Sequence, residues 1–440
     1  MKVPLSWLRE FVEIPADITH EQVHAALVKV GFEEEDVHDF DISGPVVVGQ
    51  VLEFVGEPQS NGKTINWCQV DVGEDEPRGI VCGAHNFVVG DKVVVTLPGS
   101  ILPGPFPIAA RKTYGHVSDG MIASTRELGL GDEHDGILVL STLGLDPEVG
   151  TSAIELLGLD DFAVEINVTP DRGYAMSLRG VAREYALSTG ARFTDPADAP
   201  TITEASGFPV VISDEAPIRG RIGVRAFVTR VVRNVDVTKP TPSWMITRLA
   251  LAGIRSISLT VDITNYVMLE LGQPIHAYDL DRVSGGLTVR RARAGETLTT
   301  LDDKTRTLDP GDLLITDESG PIGLAGVMGG ASTEITDAST NVLIEAANFE
   351  PISIARSARR HKLGSEASRR FERGVDPLVA PAAAARVVEL LVELGGGSVD
   401  ELGSDLLADH AADAVDLPEG YPQGLIGVNY SADEITDSLQ

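Results

Sequence analysis

The sequence predicts a multidomain α+β protein, and three observations carry that prediction. At 440 residues the chain is too long for one hydrophobic core and divides into two to four domains. Its hydrophobic periodicity changes from helical to alternating and back to helical along the chain. A hydrophobic fraction of 43% with 45 Gly and 25 Pro fits compact structure rich in strands and turns rather than disorder.

The chain opens with an amphipathic helix. Thr19 and Gln22 form a capping box, Val23, Ala26, Leu27 and Val30 repeat at i, i+3, i+4, i+7, and Gly31 closes the helix. From about Gly44 to Leu140 the pattern is one of short alternating strands. They include "PVVVGQVLEFV", "INWCQVDVG" after an Asn61-Gly62 turn, "RGIVCGA" and "DKVVVTLPG". Five or six strands in about a hundred residues predict a small Greek-key barrel such as an OB-fold. Residues 150–190 return to helix, ending in "SLRGVAREYALSTG", and "FTDPADAPTITEASGFP" reads as a linker.

Residues 209–375 mix strands with short helices, an α+β pattern, and "APAAAARVVELLVELGGG" is a helix stopped by glycine. A last helix begins at "SADEITDSLQ", with Ser431 and Glu434 placed as a capping box. It runs for about one apolar repeat, so the sequence reads as a piece of something longer. The segment after about Gly395 is expected to pack poorly, its apolar helix face lacking partners.

The formal charge is −31, from 66 acidic and 35 basic residues, which argues against indiscriminate nucleic-acid binding. The charge is unevenly spread. Leu391 to Gln440 holds eleven Asp or Glu and no Lys or Arg, whereas Arg356 to Arg373 holds seven Lys or Arg against two Glu. An RNA partner is compatible with the second stretch and not with the first. No apolar run approaches the ~18 residues of a membrane span, and the N-terminus lacks a basic-then-apolar signal sequence. Cys68 and Cys82 have neither zinc-ribbon nor CxxC spacing, which points to reduced thiols in a cytoplasmic protein without membrane attachment.

One motif is rejected. "HEQVH" at His20–His24 matches the H-E-x-x-H zinc-protease pattern on a predicted helix, but His20 sits in the first turn and no third ligand is arranged nearby. Both histidines flank the apolar stripe, as boundary residues of a surface helix do. "LAGVMGG" lacks the Lys-Ser/Thr of a phosphate loop, and there is no G-x-S-x-G elbow. Polar residues inside "LTVDITNYVMLELGQPIHAYD" need another explanation: Thr264 and Asn265 interrupt an apolar run, and His276 follows Gln273-Pro274.

Four spaced segments supply one. "SLTVDITNYVMLELGQPIHAYDLDRV", "GLAGVMGG", "TEITDASTNVLIEAANFEPISIARSARR" and "SEASRRFERGVDP" together resemble the β subunit of bacterial phenylalanyl-tRNA synthetases. "IVCGAHNFVVGDKVVVTLPGSILP" and "SDGMIASTRELGLGDEHDGILVL" look like that family's tRNA-binding OB module. "VEINVTPDRGYAMSLRGVARE" resembles the return to the N-terminal domain after the OB insertion. The family usually has Cys at Ala123, Asn at Asp171 and Asp at Tyr174, and "KLGSEAS" around Ser365-Glu366 departs from its usual sequence.

The resemblance implies an N-terminal α+β domain (1–42 with 150–195) carrying an inserted OB barrel (43–149). An editing domain of the B3/B4 type (205–390) and the start of a B5-type domain (400–440) follow. It implies a tRNA-binding subunit that hydrolyses tyrosine mischarged onto the tRNA for phenylalanine. Its partners would be that tRNA and an α subunit in an α2β2 heterotetramer. The α subunit would activate phenylalanine with ATP and Mg2+, so no cofactor or metal is expected on this chain. The alternative is an RNA-binding or assembly module without chemistry.

The editing pocket is carried by the resemblance onto Arg255, Thr264, Asn265, His276, Gly326, Glu345, Ser365 and Ala367. An apolar pocket for phenylalanine rejects an added hydroxyl by only ~10², so a second, hydrolytic site must reward it. Glu345, a carboxylate in the apolar run "VLIEAANF", suits a phenolic hydroxyl. Gly326 lets backbone approach the ligand, Thr264 and Asn265 hydrogen-bond substrate or water, and His276 orients water or ribose. Arg255 and the basic stretch meet phosphates.

Overall fold

In the computed structural model, which describes residues 1–198, 205–408 and 414–439, the first capped helix runs from His20 to Lys29. The Gln22 side chain accepts from the Thr19 N–H at 3.0 Å. Val23, Ala26 and Leu27 are buried, and so is His24. The His24 Nε2 lies 3.2 Å from the Glu165 carbonyl, and Nδ1 lies 3.2 Å from Glu34. His24 is thus a core histidine rather than a boundary residue, while His20 stays half exposed. The two face different surroundings, not a shared ligand.

Residues 150–190 are not all helix. Ala163–Asn167 is the central strand of a three-stranded antiparallel sheet, between Lys2–Pro4 and Glu33–His38. The sheet joins the start of the chain to the segment after the barrel. Helix Leu178–Thr189 follows, capped by the Ser177 hydroxyl, which accepts from the Gly180 N–H at 3.0 Å. The predicted linker is anchored where it is described: Thr194 N–H donates to Phe11 O at 2.8 Å, and Arg179 grips Asp195 with two 2.7 Å bonds. Its residues 199–204 lie outside the described residues.

The alternating region forms a five-stranded antiparallel sheet. Its order is Met121–Ile122, Lys92–Thr96, Val46–Pro58, Thr64–Asp71, Arg78–Cys82. Asp119 N–H donates to Gly79 O at 2.9 Å and Val81 N–H to the Ser118 hydroxyl at 3.0 Å, which nearly closes it into a barrel. Val51, Cys68, Val70, Ile80, Val93 and Val95 fill its interior. Both thiols are free, and burial pushes that of Cys68 up to about 12, so it stays protonated and unreactive.

The remaining chain up to Leu407 builds two five-stranded sheets. The first has the order Ser206–Gly207, Ser398–Leu407, Val224–Arg233, Val342–Phe349, Ile275–Asp279; the second runs Val210–Ser213, Leu287–Arg291, Leu313–Asp317, Gly320–Leu324, Met328–Gly329. Helix Ala380–Gly395 covers one face of the first sheet, with Ala380 and Ala384 against Ala226, Val228 and Ala346. Small side chains on both surfaces let the backbones approach closely. Helix Leu259–Leu271 packs beside it, and its Tyr266 stacks on Trp7 with ring centroids 4.0 Å apart, which ties this region to the N-terminal helices.

Backbone pairing continues beyond Gly395, although of the residues of strand Ser398–Leu407 only Gly403 is buried. Strand Ser398–Leu407 is inserted in the first sheet. The aspartates that made it look solvent-facing pair with arginines of the adjacent strand: Arg233 with Asp400 and Arg230 with Asp405, each at 2.7 Å. A second compact unit, Leu407–Gln440, holds helices Tyr421–Ile426 and Ala432–Leu439, neither with a buried residue. The capping box forms, with Glu434 accepting from the Ser431 N–H at 2.8 Å and Ser431 from the Glu434 N–H at 3.2 Å.

Candidate functional site

Register assembles the site. In the first sheet Glu345 pairs across the strands with Thr229 on one side and His276 on the other. Directly paired residues project to the same face, so the three form a polar row across a sheet face otherwise occupied by Phe227, Leu343 and Ala347. Tyr278, two residues beyond His276 and on the same face, donates its hydroxyl to Oε2 of Glu345. The opposite face is the one sealed by helix Ala380–Gly395.

Above this row lies a cavity of about 90 Å³ lined by His276, Tyr278, Glu345, the Gly323–Gly329 backbone, Ala367 and Phe371. Helix Glu366–Arg373 supplies Ala367 and Phe371. It starts at Ser365, whose hydroxyl accepts from the Ser368 N–H at 3.0 Å and donates to Val327 O at 2.9 Å. The N-cap thereby ties the helix to the glycine-rich loop roofing the cavity. Gln273, fully buried, donates to Ala347 O at 2.8 Å and holds the turn before His276 against the neighbouring strand Val342–Phe349.

Two glycines shape the roof. At Gly329 an added Cβ would stand 2.4 Å from Cε1 of His276, so only glycine leaves room for the imidazole. Gly326 has φ +65°, and a Cβ there would reach Phe349, Phe371 and Ile354 at 3.0 Å. Its need is set by the turn and these rings rather than by the approach of a ligand.

The electrostatics follow from burial. Nε2 of His276 is buried and has no hydrogen-bond partner among the described residues, and burial pulls the imidazole down to about 4. It is neutral at pH 7, the form that accepts a proton. Burial pushes Glu345 up to about 7, opposed by the Tyr278 hydrogen bond, while burial and the neighbouring carboxylate raise Tyr278 well above its ordinary value. The cavity thus presents a neutral base, a carboxyl poised between its two charge states, and an apolar wall of Phe349 and Phe371. That set suits a ligand with an aromatic body, a hydroxyl and a hydrolysable bond.

Of the eight residues expected here, the structure brings His276, Gly326, Glu345 and Ala367 together, with Ser365 just behind them. Thr264 and Asn265 lie elsewhere, on the helix beside Ala380–Gly395, the element covering the other face of the sheet. The Thr264 hydroxyl donates back to Val261 O at 2.8 Å. Arg255 is also remote: its exposed side chain lies 3.9 Å from Asp132 and lines a separate cavity of about 400 Å³ with Thr125, Leu130 and Ser243. In the basic stretch Arg370 and Arg373 turn inward, to Glu366 and Val168 O, whereas Arg356, Arg359, Arg360, Lys362 and Arg369 stay exposed, Arg360 with its guanidinium paired to Asp312.

Tyr278, Gly329 and Thr229 were not singled out in the sequence. The period of two in "IHAYD" puts Tyr278 on the His276 face and was the available signal for it. Among the described residues no group of three or more His, Cys, Asp or Glu could hold a metal, and no helix is long and apolar enough to cross a membrane.

Two domain families match the chain, the putative tRNA binding domain over residues 46–144 and the B3/4 domain over residues 223–396. The polar row and its cavity fall within the second. Curated relatives named phenylalanine–tRNA ligase beta subunit match nearly the whole of this chain. The protein of Leifsonia xyli is 68% identical over 100% of this chain, that of Streptomyces avermitilis 54% over 100%, and that of Thermobifida fusca 52% over 98%. The chain spans about half the length of these relatives, 54%, 53% and 52% respectively.

Proposed function

The chain belongs to the phenylalanine–tRNA ligase beta-subunit family, and from that premise we propose that it binds the tRNA for phenylalanine and hydrolyses tyrosine wrongly esterified to it. The barrel at 46–144 takes the RNA, and the His276–Glu345 cavity takes the aminoacyl end. Phenylalanine activation, with its ATP and Mg2+, is assigned to the α subunit of the assembled ligase. The single observation that carries the hydrolytic reading is the pairing of Glu345 with a neutral His276, whose Nε2 has no hydrogen-bond partner among the described residues, at one cavity.

The roles divide by chemistry. Glu345 accepts the phenolic hydroxyl, a group present on tyrosine and missing from phenylalanine. Phe349 and Phe371 flank the ring. His276 accepts a hydrogen bond from water at Nε2, takes its proton as the water adds to the ester carbonyl, and returns that proton to the ribose oxygen as the carbon–oxygen bond to the ribose breaks. The exposed Arg356, Arg359 and Lys362 meet phosphates.

The test is single-turnover deacylation of Tyr-tRNA and Phe-tRNA, both on the tRNA for phenylalanine, by the assembled ligase. Faster loss of tyrosine, abolished by His276→Ala, is expected. Equal, slow loss of both esters, unaffected by His276→Ala, would leave a module that binds RNA without chemistry.

A further inference from the structure

The cavity holds a phenol of its own. Tyr278 is 1% exposed, its ring packs edge-on against His276 with centroids 4.3 Å apart, and its hydroxyl points at Glu345. No loop movement could withdraw it, because it belongs to strand Ile275–Asp279, paired along its length with Val342–Phe349. Any hydroxyl that reaches Glu345 therefore meets a carboxyl with one oxygen already taken.

We propose that Tyr278 is a specificity-determining positioning residue: by donating to Oε2 of Glu345 it fixes that carboxyl and leaves Oε1 as the acceptor for the hydroxyl of a phenolic ester. The proposal rests on reading the cavity as a hydrolytic site for tyrosyl-tRNA, and adds how it tells tyrosine from phenylalanine. A carboxylate without a partner in a dry site is neutralised, and a neutral acid binds a phenol less well than an anion does. The Tyr278 hydroxyl is the group that counters this, since its hydrogen bond lowers the Glu345 pKa against the burial that raises it. The other groups facing Glu345 are few. His276 flanks it on one strand and the Thr229 hydroxyl on the other, while the loop and helix closing the cavity bring Met328, Ala367 and Phe371 and, among the described residues lining it, no further ionisable side chain.

Tyr278→Phe keeps the ring and its packing on His276 and removes only the donor. With Glu345 at about 7, half of the carboxyls are ionised at pH 7. Loss of a hydrogen bond to a charged group raises that value by about one unit, leaving about a tenth ionised.

Two measurements on the assembled ligase test the proposal. In single-turnover deacylation, corrected for spontaneous hydrolysis, Tyr278→Phe should slow loss of tyrosine about fivefold at pH 7 and recover by about pH 8.5. Loss of phenylalanine should not change. In isotope-edited infrared spectra with glutamate labelled at the side-chain carboxyl, the protonated band removed by Glu345→Gln should be larger in Tyr278→Phe at pH 7. A loss that is independent of pH or equal for both esters, or an unchanged band, overturns the proposal. Should the unsubstituted protein hydrolyse neither ester, the hydrolytic reading fails, and the infrared arm alone decides whether Tyr278 sets the state of Glu345.

Discussion

Substituting His276 or Glu345 should tilt the stability of this sheet with pH in opposite directions. In the folded protein His276 sits at about 4 against an ordinary 6.5, so between those values the unfolded chain binds a proton that the folded chain does not. Its contribution to stability therefore rises with pH across that window. Glu345 sits at about 7 against an ordinary 4.5, so the folded state holds the extra proton and its contribution falls as pH rises from 4.5 to 7. At about 1.4 kcal/mol per pKa unit each gap corresponds to about 3 kcal/mol, and the two nearly cancel where they overlap. His276→Gln removes the rising part. Its stability relative to the unsubstituted protein should drop by about 3 kcal/mol from pH 4 to pH 6.5. Glu345→Gln should gain about as much from pH 4.5 to pH 7. The assay is hydrogen exchange of the amides in Val342–Phe349, corrected for intrinsic rates, which reads the opening that exposes both groups. Difference curves with the same slope, or flat ones, would show that burial does not shift the two groups in opposite directions.

Three further outcomes follow from the same geometry. Glu345→Gln keeps the shape and gives up a charge-assisted hydrogen bond worth ~1.5–3 kcal/mol, so tyrosine deacylation should slow roughly ten- to over a hundredfold and phenylalanine deacylation much less. Gly329→Ala forces the imidazole aside and should slow both esters by roughly ten- to a hundredfold, with little added loss once His276 is already Ala. Excising 44–148 should weaken tRNA capture in filter binding and leave deacylation at saturating tRNA largely intact, since the cavity residues all follow Pro274.

Which parts of this were legible in the sequence depended on how local their cause is. The helix caps at Thr19 and Ser431 are set within four residues and read directly. Glu345 was legible because a carboxylate inside "VLIEAANF" contradicts its surroundings, and all eight residues of that strand prove buried. Thr264 and Asn265 contradict theirs too. The helix that carries them reverses at Gly272–Pro274 before the strand of His276, so nearness in sequence was not nearness in space. Ala163–Asn167 was missed because its partners are the chain's first residues and Glu33–His38, more than a hundred residues away. Ser398–Leu407 was missed because Asp400 and Asp405 carry no sign in sequence of the arginines that neutralise them.

The polar row is also where the fold gives up stability. Thr229 Oγ1 and His276 Nε2, on either side of Glu345, are both buried and lack hydrogen-bond partners among the described residues. An unsatisfied buried polar group costs ~1–3 kcal/mol, so valine at 229 and an apolar residue at 276 would hold the sheet better. A chain needing only a core would not set two such groups astride a buried carboxyl, nor use Gly329 to make room for one of them. A bound group that satisfies Nε2 and Oε1 of Glu345 together recovers part of that cost on binding. Phenylalanine, with no hydroxyl, leaves Oε1 without the partner that tyrosine supplies. On the proposed reading, discrimination then comes less from what tyrosine adds than from what its absence leaves unpaired, an asymmetry that lets a hydroxyl-binding site exceed the ~10² available to a purely apolar one.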